Sequence, residues 1–124
     1  MPTFEELDRT VTLNEQLEES GGGPVILVNI LTVDPADADK LVEAWAIDAA
    51  VMKGQKGFIS TQLYRGIAGS GTFMNNAVWE SVELYRAARL DTKAREKARD
   101  MYPSSLVASP HLVRPMAVAG ICVT

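Results

Sequence analysis

Residues 24–33 read PVILVNILTV, a run of β-branched and aliphatic residues that ends at Asp34-Pro35. The run is too short to span a membrane and is bounded by turn-forming residues, so it predicts a β-strand. Asn29 is the only amide side chain inside it. Side chains alternate between the two faces of a strand, and both faces here are apolar. Such a strand needs a covering layer on each side.

A helix is predicted directly after this strand. Asp34 is a suitable N-cap, Pro35 fits the first helical position, and the apolar pattern continues to the glycine at position 54. Apolar residues recur at helical spacing and so share one face of this helix. These residues are Ala38, Leu41, Val42, Trp45, Ala49 and Met52.

The rest of the chain predicts a hairpin, a second helix and a last strand. Residues 58–65 and 73–80 are two strands joined by a glycine-rich turn. A second helical stretch covers residues 82–99, with an interruption near Asp91. Residues 112–123 are predicted as the final strand, at a sheet edge because this stretch contains proline and glycine.

The order of these elements, β-α-β-β-α-β, is that of an α+β ferredoxin-like fold with a four-stranded antiparallel sheet. Both helices then cover one face of the sheet and leave the other face open. The first strand is apolar on both sides, and Phe58, Tyr64, Phe73 and Trp79 add aromatic side chains in alternation on the hairpin. A second sheet from a symmetric partner would cover the open face. The sequence therefore predicts a homodimer that forms an α+β barrel.

The chain divides into an N-terminal arm, residues 1–23, and a ferredoxin-like domain, residues 24–124. Thr12 and Glu15 form a weak capping box, which predicts a short helix ahead of a flexible glycine run. The arm is either a surface appendage or a segment that packs on a partner subunit. The residues available for partner packing are Leu7, Val11 and Leu17.

Composition excludes several classes of function. The 124 residues carry a net charge of −4, so neither nucleic acid nor an anionic membrane is an expected partner. Cys122 is the only cysteine and His111 the only histidine, so an internal disulfide and a paired-cysteine zinc motif are excluded, and a catalytic Ser-His-Asp set is hard to build. No signal-like or membrane-spanning segment is present, and we expect a cytoplasmic protein without a bound metal.

Three motifs, taken together, resemble the antibiotic biosynthesis monooxygenase family. They are GFISTQLYRG at 57–66, NNAVWES at 75–81 and YRAA at 85–88. The similarity extends over roughly residues 24–123 and leaves only the arm unmatched. It implies a dimeric α+β barrel, and it is strongest to the quinone-forming, cofactor-independent oxygenases of aromatic polyketide pathways.

The resemblance implies a catalytic set of Asn75, Trp79, Tyr85 and Arg99, with Arg95 as the alternative to Arg99. Asn75 and Arg99 would donate hydrogen bonds to substrate oxygens, and the Trp79 indole N–H would do the same. Tyr85 would accept or relay a proton, which requires a neighbouring cation to lower its pKa. The structural alternatives are core aromatics for the ring residues and a solvated helix face for the arginines.

Further residues are candidates for substrate binding. Side chains four residues apart on a strand point to the same face, so a small residue between Asn75 and Trp79 leaves a gap for a flat ring. An amide in the first strand could form the pocket floor, although a satisfied core amide is the structural alternative. The histidine is the second candidate for the proton acceptor. The predicted binding residues are Asn29, Tyr64, Phe73, Ala77 and His111.

The resemblance implies a monooxygenase that uses O₂ and a small phenolic or anthrone-like substrate, and needs neither metal nor flavin. Such a substrate, once deprotonated, can itself reduce oxygen. The alternatives are an isomerase or cyclase, and a non-catalytic binding protein of the same fold. Haem degradation is disfavoured because Ala88 stands where that branch has a tryptophan and residues 82–99 contain no histidine.

Overall fold

The computed structural model describes residues 2–123. Within that range the strands are β1 Thr3–Phe4, β2 Val25–Thr32, β3 Phe58–Arg65, β4 Thr72–Trp79 and β5 Val107–Val113. The helices in the same range are α1 Leu13–Leu17, α2 Ala38–Lys53, α3 Val82–Leu90 and α4 Thr92–Met101, and a 3₁₀ turn, Pro35–Asp37, leads into α2.

The strands form one sheet in the order β1-β5-β2-β4-β3. The pairs β5-β2, β2-β4 and β4-β3 are antiparallel, whereas β1 pairs with β5 in parallel. The predicted α+β ferredoxin-like fold is confirmed. The predicted four-stranded sheet gains a short fifth strand, because the N-terminal residues run along the edge of β5.

The inner face of α2 differs from the predicted one at three positions. Val42 is 42% exposed, whereas Ala44 and Asp48 are buried. The positions that face the sheet therefore include an acidic residue, Asp48, which is 8% exposed. A buried carboxylate on an otherwise apolar helix face requires partners, and these lie in the cleft described below.

The predicted interruption of the second helix is confirmed at Asp91. α3 ends at Leu90, and the Asp91 side chain accepts a hydrogen bond from the backbone N–H of Ala94, which caps α4. On α4 the buried residue is Ala98. No helix within residues 2–123 combines the length and the apolar character that a membrane crossing requires.

The last strand lies earlier in the chain than predicted, at Val107–Val113 instead of residues 112–123. Pro110 is tolerated in it because the backbone groups of even-numbered residues point away from β2. Glu5 donates to the carbonyl of Ala108, and the Leu112 backbone bonds the Gln16 side chain. Pro110 thus lies at an edge-facing position that needs no N–H for the β2 ladder.

The N-terminal arm packs on the chain's own domain. The capping box of Thr12 and Glu15 is formed, and Leu13 and Leu17 are buried in the same apolar cluster as Trp79. The Gln16 amide both donates to the Leu112 carbonyl and accepts from the Leu112 N–H, each at 2.8 Å. The arm therefore completes the edge of β5.

We expect Leu13→Ala to lower the free energy of unfolding by about 3 kcal/mol, because it removes a fully buried side chain and leaves a cavity. Urea denaturation of the full chain measures this. Leu7→Ala is the matched control, since Leu7 is 49% exposed and should change stability by less than about 0.5 kcal/mol. Equal effects of the two variants would show that the arm does not share the core.

Helices cover one face of the sheet and leave the other face exposed. On β2, Val25, Leu27 and Leu31 are buried under the helices. Ile26 and Val28, which point to the other face, are only half-buried. The helix-covered face holds the core and the candidate site. The opposite face presents apolar side chains that no other layer formed by residues 2–123 covers.

Candidate active site

A cleft lies between the helix-covered face of the sheet and helices α2, α3 and α4. The empty space in it is about 580 Å³, a volume that includes the open mouth and the solvent there. Apolar walls surround a group of polar side chains. The polar or hydrogen-bonding residues of the lining are Asn29, Asp48, Thr61, Asn75, Trp79, Tyr85, Arg89, Arg95 and Tyr102.

Two asparagines lie side by side on the sheet floor of the cleft. Asn29 of β2 pairs directly with Asn75 of β4 in the antiparallel register. The Thr61 hydroxyl donates to Asn75 Oδ1 at 2.7 Å, which fixes the amide orientation and leaves its NH₂ group for another acceptor. Asn29 Oδ1 is buried without a hydrogen-bond partner among the described residues. The floor therefore offers both an amide acceptor and an amide donor.

Trp79 lies four residues beyond Asn75 on the same strand, and Ala77 between them also lines the cleft, as predicted. The tryptophan is 1% exposed, and its Nε1–H finds no acceptor within residues 2–123. A buried indole N–H normally has a partner. Trp79 is therefore a cleft residue whose buried donor has no acceptor among the described residues.

Aromatic packing holds the tryptophan ring in place. The rings of Phe58 and Trp79 meet edge to face with centroids 5.4 Å apart, and the Tyr85 ring lies 5.5 Å from the Trp79 ring. Such contacts stabilise fixed ring orientations. The indole N–H is therefore held in one direction before any ligand binds.

Tyr85 is buried, and its neighbouring cation is Arg89. It is 2% exposed, and burial raises the pKa of its phenol, an effect that the nearby Arg89 guanidinium only partly opposes. Arg89 Nη1 donates to the Tyr85 hydroxyl at 3.4 Å. Proton acceptance by Tyr85 would require a cation to lower this pKa, and that condition is not met: Arg99 is exposed, and Arg89, the neighbouring cation, does not outweigh the effect of burial. At neutral pH Tyr85 is a neutral hydrogen-bond donor.

A buried ion pair closes the helix side of the cleft. Arg95 holds the Asp48 carboxylate with two hydrogen bonds, at 2.8 and 2.9 Å, and the Tyr102 hydroxyl donates to Asp48 Oδ2 at 3.1 Å. Burial, followed by the charge of Asp48, raises the pKa of Tyr102. The hydrogen bonds that Arg95 donates to Asp48 raise the pKa of Arg95, so the guanidinium stays charged.

The charged groups of the cleft leave a positive excess. Asp48 neutralises Arg95, and Arg89 has no carboxylate partner within hydrogen-bond distance among residues 2–123. A desolvated positive site favours an anionic ligand. In the same range, His, Cys, Asp and Glu side chains form no group of three or more that could bind a metal.

Four predicted site residues lie outside this cleft. Arg99 is exposed: α4 restarts the helix after Asp91, and its inward positions are those of Arg95 and Ala98. Arg95, the alternative, lines the cleft.

Phe73 faces the helices but is buried in a second apolar cluster with Leu31, and the Arg65 guanidinium lies 5.4 Å from its ring centroid. Tyr64 and His111 point to the opposite face of the sheet, since they pair with Met74 and Val28 at even positions. His111 Nε2 lies 3.1 Å from the Gln16 amide nitrogen. The second candidate for the proton acceptor is therefore not in the cleft.

Sequence reasoning missed Asp48, Arg89 and Tyr102 as site residues. Asp48 carried a usable signal, because it falls at helical spacing from Leu41 and Trp45 on the apolar face of α2. Tyr102 follows α4 and reaches the cleft only through the packing of α4 on α2, which no local pattern specifies.

The fold and the cleft define an α+β protein with a ferredoxin-like sheet and a partly polar cleft between sheet and helices. The chain belongs to the antibiotic biosynthesis monooxygenase family, whose model matches residues 24–98. The family predicted from the sequence motifs is confirmed. A search among curated proteins finds no match.

Solved structures with the same fold include SnoaB, a cofactor-independent oxygenase from Streptomyces nogalater, with a TM-score of 0.68 and 22% identity over 80% of this chain and 99% of that one. A candidate monooxygenase from Shewanella loihica PV-4 has a TM-score of 0.66 and 27% identity over 79% of this chain and 100% of that one. A variant of MhuD with two manganese protoporphyrin IX molecules per active site has a TM-score of 0.61 and 22% identity over 77% of this chain and 98% of that one. At these identities SnoaB and MhuD show the fold alone.

Proposed function

We propose that this protein is a cofactor-independent monooxygenase that oxidises a phenolic, anthrone-like ring to a quinone with O₂. The observation that carries the proposal is the buried, unpartnered Nε1–H of Trp79, a residue of a cleft that also contains the unpartnered Oδ1 of Asn29 and the amide of Asn75. These groups are suited to an oxygen-substituted flat ring. SnoaB, a cofactor-independent oxygenase of the same fold, adds support by analogy.

The substrate ring lies over Ala77, between Asn75 and Trp79, in this proposal. The Trp79 indole and the Asn75 amide donate hydrogen bonds to substrate oxygens. The positive excess at Arg89 stabilises the anion that forms on deprotonation, and the neutral Tyr85 hydroxyl supplies a further donor. Preorganised donors of this kind in a desolvated site lower the barrier to oxyanion formation.

The chemistry requires only the substrate anion and oxygen. Loss of a ring proton leaves its electron pair delocalised over the aromatic system, and one electron passes to O₂. The radical pair combines to form a C–O bond, and the resulting peroxide anion takes up a proton. Removal of the second hydrogen from the same carbon breaks the O–O bond, so that one oxygen atom remains in the quinone and the other leaves in water.

Oxygen uptake tests this function. We expect metal-depleted protein and a dihydroxyanthrone in air to consume O₂ and form quinone in equal amounts, faster than buffer alone, and to form none under argon. Proton transfer to give an isomer under argon would indicate an isomerase or cyclase instead. Recovery of unchanged, bound anthrone in air would indicate a binding protein.

We also propose that the protein is a homodimer that packs the open sheet faces together. Ile26, Val28 and Ile30 on β2 are half-buried in one chain and unsuited to full solvation. The same face on a second, symmetry-related copy supplies the missing apolar layer.

Val28→Asp tests the dimer because it places a charge at the middle of the proposed interface. We expect the native protein to have twice the 13.5 kDa mass of one chain in light scattering, and the variant to have the mass of one chain. Val42→Asp is the control, since that side chain is 42% exposed on the outside of α2. A native protein with the mass of a single chain at micromolar concentration would contradict the proposal.

A further inference from the structure

Asp48 is a carboxylate inside the cleft, and the steps of the proposed reaction described above do not involve it. It lies on the inner face of α2, is 8% exposed, and is among the residues that line the cleft. Arg95 donates to both of its oxygens, and Tyr102 donates to Oδ2. The side chain is thus held in one orientation by two elements on the helix side of the site.

The hydrogen bonds leave Asp48 able to accept one more. A carboxylate has about four acceptor positions. Three are occupied, two at Oδ2 and one at Oδ1. The remaining position is on Oδ1, the oxygen that does not contact Tyr102.

The other titratable groups that face Asp48 already hold their protons. Arg95 on α4 and Arg89 on α3 are cations. Burial raises the pKa of both Tyr85 and Tyr102, so these phenols remain neutral near pH 7. His111, the only imidazole of the chain, lies on the opposite face of the sheet. The carboxylate is the remaining side chain of the described cleft that can take up a proton.

We propose that Asp48 is the proton acceptor of this site, an inference that rests on the proposed function. The substrate C–H bond breaks, its electron pair remains on the delocalised substrate oxyanion, and the proton passes to Oδ1 to give a carboxylic acid. The acid later returns that proton to the peroxide anion, which restores the carboxylate. Arg95 and Tyr102 act as positioning residues, because their hydrogen bonds fix the orientation of the carboxylate and leave one acceptor position on Oδ1.

Exchange of substrate hydrogen in D₂O under argon isolates this step from oxygenation. The probe is a dihydroxyanthrone, and nuclear magnetic resonance follows loss of its acidic ring C–H signal. We expect the wild-type protein to accelerate exchange over buffer, and Asp48→Asn to reduce the buffer-corrected rate at least about 100-fold. Asp39→Asn, an exposed substitution on the same helix, should exchange like the wild type.

The pH dependence of exchange in Tyr102→Phe provides a second readout. It would not change if the Asp48 carboxylate had only a structural role. Without the Tyr102 hydroxyl the charged carboxylate loses one hydrogen-bond donor, so the acidic limb of the exchange-against-pH profile should shift to higher pH. If Asp48→Asn fails to fold, Tyr102→Phe still tests whether Asp48 accepts the substrate proton. An unshifted limb in folded Tyr102→Phe would overturn the assignment.

The outcomes separate this inference from the proposed function. Asp48-dependent exchange without oxidation in air would support the acceptor and overturn the oxygenase function. Oxidation in air together with exchange in folded Asp48→Asn within threefold of wild type would overturn the acceptor and leave the function standing. A wild-type protein that does not accelerate exchange at all would overturn the acceptor as well.

Discussion

Trp79→Phe is expected to lower kcat/KM for anthrone oxidation about 100-fold while the protein remains folded, because one preorganised donor to a developing oxyanion contributes about that much. Phenylalanine keeps an aromatic ring between Phe58 and Tyr85 and removes the Nε1–H. That N–H has no partner among the described residues, so its loss breaks no hydrogen bond of the folded chain. The activity and stability effects should therefore separate.

Two measurements check this expectation, initial rates of quinone formation and thermal unfolding. Asn75→Ala should reduce the rate to a similar extent. Asn76→Ala is its matched control, because Asn76 is the next residue on β4 and points to the opposite face. Equal losses in Asn75→Ala and Asn76→Ala would mean that the cleft does not hold the substrate.

Arg95→Met is expected to lower the free energy of unfolding by about 3 kcal/mol, because it leaves the buried carboxylate of Asp48 without its cation. The two side chains are 20% and 11% exposed, so solvent can replace little of the lost interaction. Arg99→Met on the same helix is the control, and its exposed position should make the change smaller than about 0.5 kcal/mol.

A double-mutant cycle identifies the cause of this loss. If the unpaired charge is responsible, Asp48→Asn combined with Arg95→Met should be less destabilised than the sum of the single variants, by at least about 1 kcal/mol. Urea denaturation supplies all four free energies. Strict additivity would indicate that Arg95 stabilises the helix packing by other contacts.

Much of the fold was predictable because its strands and helices carry local signals. The apolar run of β2 is bounded by turn residues, and the break at Asp91 coincides with the start of α4. The end of the chain was not predictable in the same way. β5 contains Pro110, which reads as a strand breaker until its partners show that its backbone faces the edge and not β2.

The sheet side of the site was predictable, and the helix side was not. Asn75, Ala77 and Trp79 lie on one strand, where alternation alone places them on a common face. Asp48 and Arg95 meet only because α4 packs on α2 across 47 residues of sequence. Helix-to-helix packing is not encoded in local spacing, so the spacing of Arg95 and Arg99 alone does not show which of the two faces the cleft.

Labelled oxygen tests the proposed oxygenase function most directly. Metal-depleted protein is mixed with a dihydroxyanthrone under ¹⁸O₂, and mass spectrometry follows the quinone. We expect one ¹⁸O atom in each quinone molecule, formed faster than in buffer and faster than with Trp79→Phe. Quinone formation no faster than in buffer, or a new quinone oxygen that comes from water, would contradict the proposed monooxygenase.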